Sequence, residues 1–409
     1  MSLLKVKYGS IHLPLDFPEG MVRLQHTEPE ININPDSVRK QFLQKLKALN
    51  KRPGNVGVIV SDKTRLCEYP LWLPVITAAL EEDGVARDQI TFYIAYGTHP
   101  LQSEEESRNA YGETYDRYRF IHHRSKEEAA HVSLGTTKCG TDVKVRRDLL
   151  QQDLLISLGA ILHHYFAGYG GGRKLLFPGL AGYDSILHNH SLFLDFKKRR
   201  LDPGCQSGNL YNNPLAEDLQ EINEMLPDRL ELYAIMNSRR EVCELHFGDN
   251  YQDFTKACLG YDRYFRLNGE KQYDLVVATA GGYPKDINFI QGHKSIHNAA
   301  SFVRDNGRLI IFAECIDGLG NEAFMKLFEL GGREAIFKAM ERTYANNAGT
   351  ALAMLEKAER IRIHFVTSLN REVCNRMGAI KTTPEEAQEI IQRETGEIAF
   401  IENASLVYK

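Results

Sequence analysis

The sequence predicts an α/β protein: two α/β domains with mostly parallel sheets and an active site in the cleft between them. Three observations carry this expectation. Short β-branched runs recur, each followed by a polar loop and then a helical stretch, the pattern of strands joined by helical crossovers. The 409 residues exceed what one ordinary core holds, so two domains are expected. The runs also fall into two series, the second starting near Tyr273. A boundary between Gly260 and Lys271 gives an N-terminal α/β domain, 1–265, and a C-terminal Rossmann-like domain, 266–409. The extreme C-terminus is left free to pack back on the first domain.

Residues 4–15 alternate well enough for one or two edge strands. Pro35 and Asp36 open a helix in which Val38, Phe42, Leu46 and Leu49 keep helical spacing, and Pro53-Gly54 stops it. Residues 56–60 read as a buried strand running straight into Ser61-Asp62-Lys63-Thr64-Arg65. A helix over 71–82 follows, then a second buried strand, 89–95, ending in Tyr96-Gly97-Thr98-His99-Pro100. In such folds ligands sit beyond the carboxyl ends of the strands, which draws attention to both polar ends. Further strands are expected at 119–122, 143–146, 154–158, 232–236 and 241–246, with Asp184 capping a helix that carries Leu187, His188 and His190. The second series reads as strands 275–278, 309–312, 361–366 and 398–401, separated by helices over 322–330, 351–359 and 384–393.

Bulk composition excludes several classes. With 43% hydrophobic and 25% charged residues the chain is globular, and a net charge of -4 argues against a nucleic-acid partner. No run reaches the ~18 apolar residues of a membrane span, and MSLLKVKYGS lacks the layout of a signal peptide, so no membrane partner is expected. The seven cysteines (Cys67, Cys139, Cys205, Cys243, Cys258, Cys315 and Cys374) are scattered and never spaced as CxxC. That excludes a disulfide framework and a thiolate zinc site, and suggests a cytoplasmic protein.

Chemistry-bearing residues concentrate in 159–190. Strand 154–158 feeds His163, His164, an aromatic pair and the loop Gly168-Tyr169-Gly170-Gly171-Gly172-Arg173-Lys174. A Walker loop needs Gly-Lys-Ser/Thr, whereas Arg173 intervenes here and Leu175 follows, so an ATPase is excluded. Converging backbone N–H groups of Gly170, Gly171 and Gly172 beside the Arg173 charge still suit a phosphate. His163, His164, His188 and His190 could form a metal site, in which imidazole without thiolate suits nickel, copper or zinc. Neither half carries GxGxxG, so a nicotinamide dinucleotide held in the usual way is not expected. His99, at a strand end, suits proton transfer because an unperturbed imidazole titrates at about 6.5. Asp62 and Arg65 form an ion pair, or else Arg65 binds a carboxylate while Asp62 fixes the geometry. Gln291 and Lys294, one helical turn apart, would offer an amide and a cation to an acid.

Taken together these residues resemble the nickel-pincer-nucleotide lactate racemase family, over essentially the whole chain. The carrying motifs are Asp62-Lys63-Thr64-Arg65, Gly97-Thr98-His99, His164 followed ten residues later by Lys174 through GGGRK, Leu187-His188-Asn189-His190, and Gln291 with Lys294. The resemblance implies a racemase or epimerase of 2-hydroxy acids whose first domain binds a nickel-pincer nucleotide, made by separate cofactor-biosynthesis enzymes. Lys174 would carry the covalent link, His190 would ligate nickel, and the phosphate would lie on Gly170, Gly171, Gly172 and Arg173. His99 and His164 would be the two acid/bases on opposite sides of the substrate, and Arg65, Gln291 and Lys294 would hold it, with Asp62 supporting Arg65 or His99. Hydride transfer avoids a carbanion beside an ionised carboxylate. The family's tryptophan near the substrate corresponds here to Asn346-Asn347-Ala348-Gly349-Thr350, and the single tryptophan of the chain is Trp72. Room and polarity at that place imply a substrate larger or more polar than lactate, such as malate or a sugar acid.

Two other classes remain open to the residues alone. A zinc-dependent hydrolase or lyase would use the histidine cluster and a metal-bound water. A non-catalytic nucleotide- or phosphate-binding protein would use only the glycine loop.

Overall fold

The structure is a computed structural model and describes residues 2–49, 53–267, 271–321, 323–345 and 347–409. It divides into two compact units. The N-terminal unit comprises Glu28–Leu192 and Asn209–Tyr264; the C-terminal unit comprises the residues up to Thr27, Phe193–Gly208 and Phe265–Lys409.

In the N-terminal unit six strands form one sheet in the order Val242–Gly248, Arg229–Met236, Leu154–Ala160, Val56–Ser61, Ile90–Ala95, Arg119–His122. All neighbours run parallel except the Val242–Gly248 edge, which returns antiparallel through a tight turn. Every residue of Val56–Ser61 and Leu154–Ala160 is buried, as expected of parallel strands covered on both faces. Helices Pro35–Lys47 and Tyr69–Glu82 cover one face, bringing Val38, Phe42, Trp72, Leu73 and Ile76 onto Val58, Val60, Phe92 and Ile94. The first helix ends at Lys47, ahead of Pro53-Gly54, and Asn34 caps it by accepting from the Ser37 N–H. Register places the C-terminal ends of three adjacent strands side by side, with Ser61 opposite Ala95 and Val60 opposite Leu158.

The C-terminal unit has a second six-stranded sheet, wholly parallel, in the order Ala379–Lys381, Arg362–Val366, Val303–Phe312, Tyr273–Thr279, Ile398–Ile401, Val22–Leu24. The expected boundary near residue 265 matches one of the crossings between units, but there are others. The hairpin Ser2–Tyr8 and Ile11–Phe17 places Val6, Leu15 and Phe17 in the core with Leu275, Val277 and Phe400, and Val22–Leu24 extends the sheet. Residues 1–27 therefore fold with the C-terminal unit rather than with 28–192. The extreme C-terminus also stays in its own unit: Leu267 donates to the Tyr408 carbonyl at 2.8 Å. The segment 193–208, a short hairpin, joins the same unit through the Arg199–Glu334 ion pair at 2.6 Å and the packing of Phe193 on Gly349. No helix among the described residues is long and apolar enough to cross a membrane.

Candidate active site

Three adjacent strand ends of the N-terminal unit deliver three of the expected residues. Val56–Ser61 ends in a single 3-10 turn, Lys63–Arg65, capped by Asp62, whose Oδ1 accepts from the Thr64 N–H at 2.9 Å and the Thr64 hydroxyl at 2.5 Å. Ile90–Ala95 ends in the loop that bears His99. Leu154–Ala160 leads into the hairpin Leu162–His164 and Gly168–Gly170.

Asp62 is 1% exposed and its Oδ2 accepts from His99 Nδ1 at 2.6 Å, with Arg65 Nη1 3.4 Å from the same nitrogen. Burial alone would raise the Asp62 pKa. The His99 hydrogen bond, the attraction of His99 and Arg65, and the Thr64 hydroxyl outweigh burial and lower it to about 2. The carboxylate is therefore ionised and holds His99 with Nδ1 protonated, which leaves Nε2 as the basic nitrogen. On the neighbouring hairpin, His164 Nδ1 accepts from the Ala167 N–H at 3.3 Å, so its neutral ring carries the proton on Nε2. His164 stacks on Tyr165 and meets Phe166 edge-on.

Lys174 sits in the 3-10 turn Gly172–Leu175 that follows the hairpin. Its Nζ is buried without a hydrogen-bond partner among the described residues and lies 5.6 Å from the Phe166 ring centre. Burial, then the charges of Arg65 and Arg173, hold the amine well below the ordinary lysine range. Helix Tyr183–Ser191 brings His190 against the same ring, 5.6 Å between centres. Burial, then Lys174, His99 and Arg65, push the His190 pKa down to about 3, so its imidazole is neutral at neutral pH and able to bind a metal. These mutual effects put Arg65, His99, Lys174 and His190 in one electrostatic neighbourhood. A buried amine of lowered pKa, without a hydrogen-bond partner among the described residues, beside a neutral imidazole fits a group joined covalently to one and ligated by the other.

Other expected roles resolve differently. His163 and His164 are consecutive strand residues and face opposite sides. His163 bonds Asp262 at 2.9 Å, and Asp262 also accepts from the Tyr169 hydroxyl at 2.7 Å. His188 bonds the Cys139 carbonyl at 3.0 Å. The four histidines therefore do not gather, and no group of three or more metal-ligating side chains occurs among the described residues. Asp184 is not the helix cap; Gly182 precedes the helix and Asp184 lies in its first turn. The Arg173 guanidinium is 2% exposed, sits over the Tyr251 and Phe254 rings, and donates to the Ala216 carbonyl at 3.2 Å. Its Nε and Nη2 have no partner among the described residues. Gly171 has φ 77° and a Cβ there would fall 2.2 Å from the Ala160 carbonyl oxygen, so close backbone packing already demands glycine. Gly170 has no such neighbour.

Residues 24–202 match the family model of the lactate racemase N-terminal domain, and residues 269–363 match that of the lactate racemase C-terminal domain. The chain belongs to the lactate racemase family. It is 27% identical over 340 residues to a lactate racemase from Thermoanaerobacterium thermosaccharolyticum, covering 80% of this chain and 78% of that one. It is 29% identical over 283 residues to a lactate racemase from Lactiplantibacillus plantarum, covering 68% and 65%. The structure of the lactate racemase apoprotein from T. thermosaccharolyticum superposes with a TM-score of 0.87 at 25% identity, over 99% of both chains. A protein of known structure from Thermotoga maritima shares the fold, with a TM-score of 0.70 at 16% identity over 94% and 99%.

In this member of the lactate racemase family, Gln291 and Lys294 lie in the C-terminal unit on helix Phe289–Ala300, where Lys294 Nζ donates to Gln291 Oε1 at 2.7 Å. In the stretch set against the family tryptophan, Asn346 lies outside the described residues. Asn347 precedes helix Ala348–Arg360 with φ 66°, and Ala348, Gly349 and Thr350 are buried in its first turn. A Cβ on Gly349 would fall 1.6 Å from the Phe193 ring, so the room expected there is taken by that ring. What remains of the expected difference is the polarity of Asn347 and Thr350. Sequence reasoning gives no role to Phe166, Thr64 or Gln102. In the sequence Phe166 reads only as half of an aromatic pair, although its place between two histidines and the lysine is a signal.

Proposed function

We propose that this protein is a racemase or epimerase of 2-hydroxy acids that works with a nickel-pincer nucleotide linked to Lys174. The observation that carries the reading is the buried amine of Lys174, without a hydrogen-bond partner among the described residues, next to neutral His190 and in the same electrostatic neighbourhood as His99. Lys174 would hold the nucleotide and His190 its nickel, while the unpaired Nε and Nη2 of Arg173 support a phosphate on the Gly170–Arg173 loop. When bound, that group supplies an electron-poor ring that takes a hydride and returns it, so no carbanion forms beside an ionised carboxylate.

The chain's own residues do the rest. His99 Nε2 accepts the substrate hydroxyl proton while Asp62 keeps the Nδ1 proton in place and stabilises the imidazolium. His164 would be the second acid/base, for the opposite enantiomer: as an imidazolium it donates Nε2–H to the substrate oxygen and returns to the neutral ring, and the two exchange roles in reverse. Arg65 is the guanidinium for the substrate carboxylate. Gln291 and Lys294 carry the substrate-binding role that the family resemblance gives them. Separate biosynthetic enzymes supply the nucleotide, and the scattered cysteines suit a cytoplasmic setting. The preferred acid is more polar than lactate, on the strength of Asn347 and Thr350 in the stretch set against the family tryptophan.

The test uses protein produced together with the cofactor-making enzymes. His99→Gln and His164→Gln, made separately, should each abolish interconversion of enantiomers, a loss of at least about 100-fold, while intact mass still shows the adduct on Lys174. Retained interconversion in both variants would overturn the assignment of the two bases.

A further inference from the structure

We propose that Gln102 is a positioning residue for the Asp62–His99 pair, because its side chain fastens the loop that carries His99 to the turn that carries Asp62 and Arg65. The inference rests on the proposed function for its catalytic meaning and on hydrogen bonding for its substance.

A 3-10 turn leaves its first backbone N–H groups without partners inside the turn. Here the Thr64 N–H goes to Asp62 Oδ1 and the Arg65 N–H to the Asp62 carbonyl at 3.0 Å. The Lys63 N–H, on the residue directly after Asp62, goes to Gln102 Oε1 at 2.9 Å. Gln102 is three residues beyond His99 and 6% exposed. The other end of its amide is also fixed. Nε2 donates to Ser107 Oγ at 3.0 Å, and that hydroxyl donates to the Ser103 carbonyl at 2.8 Å.

The backbone of Gln102 is held by a directional chain. The Tyr115 hydroxyl donates to Glu104 at 3.1 Å, so it accepts from His122 Nε2–H at 3.0 Å. His122 Nδ1 must then accept from the Tyr96 hydroxyl at 2.9 Å, and the Tyr96 oxygen accepts the Gln102 N–H at 3.4 Å. Burial keeps His122 below its ordinary range, consistent with this neutral tautomer. Tyr96 in turn accepts the His99 N–H on its carbonyl at 3.0 Å. A second tie between the same two segments, the Lys63–Glu106 ion pair, is half-exposed and contributes little. Gln102 is thus a buried link between the two loops, and the 2.6 Å contact of Asp62 with His99 depends on their spacing.

The experiment reads the His99 Nδ1 proton by NMR in protein without cofactor. So short a hydrogen bond to a carboxylate should give a far-downfield resonance, assigned by its loss in His99→Gln. In Gln102→Met, which keeps the shape but removes the acceptor, the resonance should be lost or broadened by exchange with water. In Gln102→Glu, which keeps an oxygen toward Lys63, it should persist. In loaded enzyme Gln102→Met should lower kcat by at least about tenfold with KM within about twofold, and Gln102→Glu should recover most of that loss. Should Gln102→Met fail to fold, Ser107→Ala frees the Nε2 end alone and should broaden the same resonance. An unchanged resonance in Gln102→Met, or equal losses in the Met and Glu variants, would overturn the proposal. If loaded wild-type protein racemises nothing, the functional reading falls while the resonance still decides the role of Gln102 in holding the pair.

Discussion

The Lys174 amine, sealed against Phe166 without a hydrogen-bond partner among the described residues, opposes folding until something is attached to it. Because burial, Arg65 and Arg173 depress its folded pKa, the unfolded chain binds the proton more tightly between that depressed value and 10.5. Stability of the empty protein should therefore rise as pH climbs through that interval. Lys174→Met should abolish this slope and stabilise the protein at pH 7 by roughly 1–3 kcal/mol, as read by urea unfolding at pH 7 and pH 9. His123 shows the opposite end of the scale. Burial, then His131, push its pKa down to about 3, and its Nε2 bonds the Ala181 carbonyl at 3.0 Å. Its stabilising contribution is complete above the unfolded value of about 6.5 and is lost as pH falls from there toward 3. His123→Gln should shift the acid-unfolding midpoint, followed by circular dichroism, to lower pH. Asp62 adds its own loss only further down, as pH falls below 3.8 toward about 2.

At the scale of elements, the glycine loop separates packing from binding. Gly171→Ala should destabilise by about 2–4 kcal/mol, since a left-handed φ and a carbonyl contact both resist a side chain. Gly170→Ala, with its nearest neighbour at 3.8 Å, should leave thermal stability within about 0.5 kcal/mol. The elements that sequence made legible are those with a local signal. The β-branched runs at Val56–Ser61 and Leu154–Ala160 and the helical spacing of Val38, Phe42 and Leu46 state their burial directly, and the polar residues at strand ends mark where Asp62, His99 and His164 emerge. The misplaced histidines had a geometric cause. His163 and His164 alternate across a strand, and His188 and His190 are two apart on a helix, so each pair diverges and only one member enters the site. Pairing of Val22–Leu24 with Ile398–Ile401 leaves no local trace, which is why the sequence alone sets the first 27 residues on the other side of the boundary. Phe17→Ala should cost about 3–5 kcal/mol in the C-terminal unit if that hairpin is part of its core; a change under about 1 kcal/mol in its unfolding transition would show the hairpin to be peripheral.

For the whole molecule, family membership fixes the reaction class more firmly than the substrate. The preference proposed from the Asn347 to Thr350 stretch, where Phe193 fills the position at Gly349, should appear in a panel of enantiopure 2-hydroxy acids: malate or a sugar acid turning over faster than lactate. Turnover confined to lactate would remove that preference and leave the family chemistry untouched. The most direct measurement of the central claim is the fate of the Cα hydrogen when protein loaded with cofactor interconverts a 2-hydroxy acid in D2O. Two histidines that move only the hydroxyl proton, beside a hydride acceptor held by Lys174 and His190, should give the opposite enantiomer with its original hydrogen at Cα. Deuterium at Cα in the product would mean that His99 and His164 abstract the carbon-bound proton instead, and would contradict the account.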